Sequence, residues 1–332
     1  MTRASGVGSW PGDDATDFAE AQRVVLGELD LPHLVELPGR GAPATTTGRG
    51  LALVAELGAD LQPAGWRLTG GGAGVDHRRA RSLLAQDLDA LEEQGQGLTG
   101  PVKVQVAGPW TLAATVERPR GDKVLADHGA RRDLAQALAE GVRDHVADLR
   151  RRLPDATSYV VQVDEPALPG VMAGRVPTAS GFGRHRTVHP PEASALLEEV
   201  LGAVVAAGAE PWAHCCAPSE DGAVLRLLRG AGARGLLVDA DLLTAADHDQ
   251  LAESLEAGGT VGLGLVAHGA PVPTDTTLVE RVERWCDLVG LDLEAHAGGI
   301  VLTPACGLAG AAAGAARRTC TTLASAARAL TP

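Results

Sequence analysis

Residues 158–166 read "SYVVQVDEP". A short apolar run closes there on two acids and a proline. A run of this length, rich in β-branched side chains and bounded by turn residues, reads as a strand. The pattern recurs at "ASGVGSW" (4–10), "HLVELP" (33–38), "VKVQVAGP" (102–109), "AEPWAHC" (209–215), "GLLVDA" (235–240), "TVGLGLV" (260–266) and "GIVLTPAC" (299–306). Between these runs lie segments with Leu and Ala at three- and four-residue spacing, at 127–153, 192–208, 244–257, 276–289 and 308–330. That spacing predicts helices. Eight strands alternating with helices predict an α/β fold, a closed (β/α)8 TIM barrel, whose usual size suits 332 residues. An open doubly wound sheet is the alternative. No linker-like tract divides the chain and no repeat is visible, so residues 1–332 are expected to form a single domain. Residues 40–100 read as an elaborated connection after the second strand, in which "GWRLTGGGAG" (65–74) offers a further short strand. The glycines at 70–74 lack a GK[ST] ending and are expected to form a loop rather than a phosphate cradle.

Apolar residues make up 45% of the chain and aromatics only 2%, so the core must be built from Ala, Val and Leu. A formal charge of −13 opposes nucleic acid or an anionic membrane surface as partner. The start of the chain lacks a basic segment followed by an apolar one, and no apolar run is of spanning length. The expected location is therefore the cytoplasm. In that reducing compartment Cys215, Cys216, Cys286, Cys306 and Cys320 are expected as thiols or metal ligands, not disulfides.

In a barrel of this kind the chemistry sits at the C-terminal ends of the strands. Reactive side chains collect at those positions. Gly8 and Ser9 follow the first strand, Glu36 is near the end of the second, and Asp164 and Glu165 end the fourth. His214 and Cys216 come from the fifth strand, Asp239 from the sixth, His268 from the loop after the seventh, and Cys306 from the eighth. Within "PWAHCCAP" (211–218), His214 and Cys216 are two residues apart, so an extended strand turns both to one side and Cys215 to the other. Nitrogen and thiolate donors together select Zn2+, with Asp239 and Cys306 the candidates to complete a tetrahedral set. The competing reading is a pair of small buried residues beside a satisfied histidine. Likewise, Asp164 and Glu165 suit a helix N-terminus as well as a reactive site. Cys215, Cys286 and Cys320 are expected as core thiols, and "RHR" (184–186) as solvated loop that could meet an anionic donor.

The motifs "GVGSWPG", "VAGPWTL", "VQVDEPAL", "AHCC" and "LTPACGL" resemble, in this order, those of the catalytic C-terminal barrel of cobalamin-independent methionine synthase. The resemblance runs from residue 6 to about residue 310 and implies a zinc-dependent barrel that methylates the sulfur of homocysteine. It implies zinc ligands at His214, Cys216, Asp239 and Cys306. By the same resemblance, Val7, Gly8 and Ser9 contact the amino-acid carboxylate, Asp164 and Glu36 hold the amino group, and His268 moves a proton. Three departures stand out. Asp239 replaces the family's usual glutamate, with Asp241 as fallback, and Pro271 stands where the family carries an arginine. The third is an expectation that this barrel works without the N-terminal barrel that helps hold the folate. The donor is accordingly expected to be a methyl-corrinoid, free or on a partner protein, or methyltetrahydrofolate. The competing functions are alkyl transfer to another thiol such as coenzyme M, and a non-catalytic degenerate barrel.

Overall fold

The computed structural model describes residues 1–54 and 56–331. In chain order it begins with β1 (Arg3–Ala4), α1 (Ala15–Glu28), α2 (Thr46–Leu53), β2 (Ala59–Gln62), β3 (Gly65–Leu68) and α3 (Val75–Gln94). It continues with β4 (Pro101–Ala107), α4 (Pro109–Thr115), α5 (His128–Arg152), β5 (Ser158–Asp164), α6 (Leu168–Met172) and α7 (Pro190–Ala206). The last part holds β6 (Glu210–Cys215), α8 (Ala223–Gly230), β7 (Gly235–Asp239), α9 (Ala245–Glu256), β8 (Thr260–Val266), α10 (Asp275–Val289), α11 (Leu293–His296), β9 (Ile300–Pro304) and α12 (Ala313–Ala329). Seven strands form one parallel sheet in the order β1-β9-β8-β7-β6-β5-β4, which places the first strand against the last. The segment after the second expected strand does hold extra structure: α2, the antiparallel β2–β3 hairpin and α3. Among the described residues no helix is long and apolar enough to cross a membrane.

The second stave differs from expectation. Residues 31–36 make only isolated parallel bridges, Leu31 to Ser5 and Glu36 to Ser9 on one side, His33 to Lys103 on the other. Pro32 has no N–H to give, so a regular ladder cannot run through it. The backbone bonds that remain still tie both edges: Leu31 N–H to Ala4 O (3.0 Å), Glu36 N–H to Gly8 O (3.1 Å), Lys103 N–H to Pro32 O (2.9 Å) and Leu34 N–H to Lys103 O (3.0 Å). The buried Gln22 of α1 adds two more, donating to His33 O and accepting from Val35 N–H, both at 3.0 Å. The curled sheet is thereby closed into a (β/α)8 barrel.

Side chains fill the lumen in layers. Leu31, Val160, Trp212, Leu237 and Val301 form an apolar cluster of their own, separate from the shell between sheet and helices. Beside this plug stand the buried Lys103, Gln105 and Gln162, with Lys103 in register with Val160 and Gln162 with Trp212. Alternation along each strand aims one set of residues inward.

Glu165, fully buried, settles part of the acid-pair question. Its carboxylate accepts from Trp110 N–H (2.9 Å), Thr111 N–H (2.8 Å) and the Thr111 hydroxyl (2.7 Å), and so closes the N-terminus of α4. A side chain at Gly108 would put its Cβ 2.3 Å from Glu165 Oε1, which is why glycine precedes that helix. Burial pushes the Glu165 carboxyl from its ordinary 4.5 up to about 7, against the pull of its three donors. A folded-state value above the unfolded one means that the proton favours the folded chain. The associated stability is complete below pH 4.5 and is lost as the pH rises through 7. Relative to Glu165→Gln, which cannot titrate, the wild-type protein should lose on the order of 3 kcal/mol over this interval, checked by urea unfolding at both ends.

Candidate metal and substrate site

Parallel pairing of β5 with β6 sets Asp164 opposite His214. Asp164 Oδ1 lies 2.9 Å from His214 Nδ1, and a carboxylate oxygen accepts, so Nδ1 carries the proton. The other ring nitrogen, Nε2, is buried and without a hydrogen-bond partner. Cys216 follows directly after β6, and its sulfur lies 3.1 Å from that of Cys306, in the bend after β9. One donor atom from each of His214, Cys216 and Cys306 lies within 4.8 Å of the other two. A buried imidazole nitrogen with an unused lone pair is costly unless something takes it. One nitrogen and two sulfurs form the donor set that suits Zn2+, so these residues fit the ion.

The two sulfurs lie at hydrogen-bonding distance, and either can be the donor. Cys306 is drawn below the ordinary thiol value, first by its hydrogen bond with Cys216 and also by the Gly307 N–H, against the effect of burial. Cys216 is pushed up by that same bond and by burial. Cys215 points away, as expected: it is buried, and burial raises its thiol to about 12. Cys286 and Cys320 are buried on α10 and α12.

Val7, Gly8 and Ser9 form a turn that leans on the last strand's loop. Leu308 N–H donates to Ser9 O at 2.9 Å, and a Cβ at Gly307 would meet Ser9 Oγ at 2.0 Å. Val7 O accepts from Lys103 Nζ (3.2 Å) and Gln162 Nε2 (2.9 Å). Glu36 is buried beside this turn. It accepts from Gln105 Nε2 at 2.9 Å and lies 3.4 Å from Arg49 Nε. Burial raises its carboxyl above the ordinary value, and the neighbouring Arg49 opposes the rise. Arg49 in turn bonds Asp87 at 2.5 Å, and Arg40 grips the same carboxylate with two bonds of 2.7 Å. Lys103, wholly buried, is lowered by desolvation to about 8.

The remaining expected residues lie apart from the three-donor group. Asp239 ends β7, and its carboxylate accepts from Asp241 N–H at 3.0 Å. It lines a small cavity with Cys216 but is not among the donors within 4.8 Å of one another. Asp241 pairs with Arg281 at 2.5 Å. His268 is exposed, its ring lying against Gly310. "RHR" departs from a fully solvated loop: Arg184 and Arg186 are exposed, but His185 is buried and faces Asp122 at 3.3 Å. Sequence reading missed Lys103, Gln105, Gln162, Arg49 and Asp87. The signal for the first three was present, polar residues at alternate positions of "VKVQV" and "VVQVD".

The family model for the catalytic domain of cobalamin-independent synthase matches residues 90–329. The chain belongs to that family. Within this cobalamin-independent synthase domain the matched stretch takes in Asp164, His214, Cys216, Asp239, His268 and Cys306, while Val7–Ser9 and Glu36 precede it. Among solved structures, a B12-independent methionine synthase from Shewanella sp. W3-18-1, in complex with selenomethionine, superposes with a TM-score of 0.63. It is 14% identical and covers 98% of this chain and 97% of its own, a likeness that speaks for the fold alone. A 2,3-dimethylmalate lyase of the PEP mutase/isocitrate lyase superfamily matches with a TM-score of 0.38 at 11% identity, over 91% of this chain and 76% of that one. Comparison with curated protein sequences found no match.

Proposed function

We propose that this domain transfers a methyl group to the sulfur of homocysteine, giving methionine, with Zn2+ held by His214, Cys216 and Cys306. The observation that carries the reading is the meeting of three soft donors from β6 and the end of β9, one of them a buried nitrogen with a free lone pair. Bound there, Zn2+ would supply a Lewis acid that turns a thiol of pKa about 8.5 into a thiolate at neutral pH. Asp239 is the proposed exchangeable ligand: it lines the cavity beside Cys216, and the Asp241 N–H engages only its Oδ1. An exchangeable position distinguishes a catalytic site from a closed structural one.

The chain's own groups would orient the amino acid. Both hydrogen bonds of the Asp164 carboxylate go to Oδ1, and Oδ2 is the proposed contact for the substrate ammonium, together with Glu36. The turn Val7–Ser9 would receive the carboxylate. The sulfur then bonds the methyl carbon as the donor's bond to it breaks, and that bonding pair stays with the donor. A methylfolate donor is left with a nitrogen that needs a proton, for which His268 on the rim is the proposed source. A methyl-corrinoid donor needs none.

Zinc-loaded protein incubated with homocysteine is expected to form methionine from methylcobalamin or from methyltetrahydrofolate, read by chromatography of the product. Formation from neither would overturn the proposed reaction.

A further inference from the structure

We propose that Lys103 is a positioning residue that, by orienting Gln162, holds Asp164 Oδ1 against His214 Nδ1 and so keeps the lone pair of Nε2 for the metal. The proposal rests on the Zn2+ reading for its purpose, while its geometry stands by itself. Lys103 Nζ, wholly buried, lies 2.7 Å from Gln162 Oε1 and 3.2 Å from Val7 O. Gln162 Nε2 lies 2.9 Å from Val7 O and 2.7 Å from Asp164 Oδ1. Asp164 Oδ1 lies 2.9 Å from His214 Nδ1. These contacts cross from β4 through β5 to β6 and run from the lumen to the rim.

Each link has a direction. An ammonium only donates, so Gln162 must turn its carbonyl oxygen toward Lys103. Its amide NH2 then faces the two acceptors on its other side, Val7 O and Asp164 Oδ1. Flipping the amide would set NH2 against ammonium and an oxygen against a carbonyl and a carboxylate, three unfavourable contacts in a site without water's screening. Because Asp164 Oδ1 accepts, His214 must donate from Nδ1, and the lone pair is left on the buried, unpartnered Nε2. Outer partners of this kind fix the tautomer of a ligating histidine, and their loss typically costs 10–100-fold in metal affinity. The same lysine pins Val7 O, so one buried charge holds both the metal-side imidazole and the turn proposed to meet substrate.

The test uses full-length protein labelled with 15N-histidine. In metal-free wild type, long-range 1H–15N correlation spectra should show His214 protonated on Nδ1, the signal being assigned with His214→Gln. In Lys103→Met, Gln162 is free to flip and to push Asp164 away from His214, so the Nε2–H form should appear, and zinc affinity measured by chelator competition should drop about 10-fold or more. Gln162→Met, which breaks the next link, should do the same and serves if Lys103→Met does not fold. A folded Lys103→Met that keeps the Nδ1–H form and the wild-type zinc affinity overturns the proposal, as does an Nε2–H tautomer in wild type. If wild type binds no zinc, the metal reading fails separately, and the tautomer shift alone decides whether Lys103 sets the imidazole.

Discussion

Serine at position 306 is expected to strip the metal and lower methyl transfer on the order of 10³-fold, the equivalent of several kcal/mol of lost charge stabilisation. Cys306 brings one of the two sulfurs that meet His214 at the site, 3.1 Å from that of Cys216. A serine hydroxyl is a far weaker ligand for Zn2+. Cys216→Ser should behave alike, and the double variant should be little worse than either, because residues acting as one unit do not add. Asp239→Asn is expected to keep the ion with weaker binding, as befits a carboxylate that now caps a backbone N–H. Zinc per chain and initial rates of methionine formation check all of these. One zinc retained by Cys306→Ser would rule out the proposed ligand set.

Methionine at position 49 should cost about 3–5 kcal/mol of stability, the usual result of removing one partner from a buried ionic group. Arg49 sits with 6% of its side chain exposed between Glu36 and Asp87, whose own exposures are 3% and 2%. Asp87 keeps Arg40 when Arg49 is lost, but Glu36 keeps only Gln105 as a direct partner. Its carboxyl, already raised by burial, then rises further, since Arg49 is the largest opposing influence. Urea unfolding should show a lower midpoint with an unchanged slope. A midpoint within error of wild type would show that water reaches Glu36.

Most of the barrel was legible because buried parallel strands announce themselves. Six of the eight expected strands lie in the sheet, β5 at Ser158–Asp164 inside the expected 158–166, for instance, while the expected strand at 4–10 shares only Ala4 with β1. "HLVELP" was placed as a stave but is not regular, for its pairing hangs on Pro32 just outside the run and on Gln22 from a helix. The meeting of His214 with Cys216 was legible from period-two alternation, whereas Cys306 came through resemblance and strand-end position, since nothing local links residues 90 apart. Arg49 and Asp87 were invisible because they lie in the connection at 40–100, where no periodicity says which charge will find which. Lys103 and Gln162 were visible but unread: in a buried strand a polar residue must find a partner, and that requirement deserved weight.

Val301 and Leu302 register with Arg3 and Ala4, and the loop carrying Cys306 rests on the turn carrying Ser9. During synthesis, then, a ribosome exposes His214 and Cys216 long before their distant companion emerges. On the proposed ligand set, a nascent chain would offer a loose pair of ligands with no cage, and ion capture would await translation of the final stave. Loading and ring closure would then be one late event, tied to the most non-local contacts in the molecule.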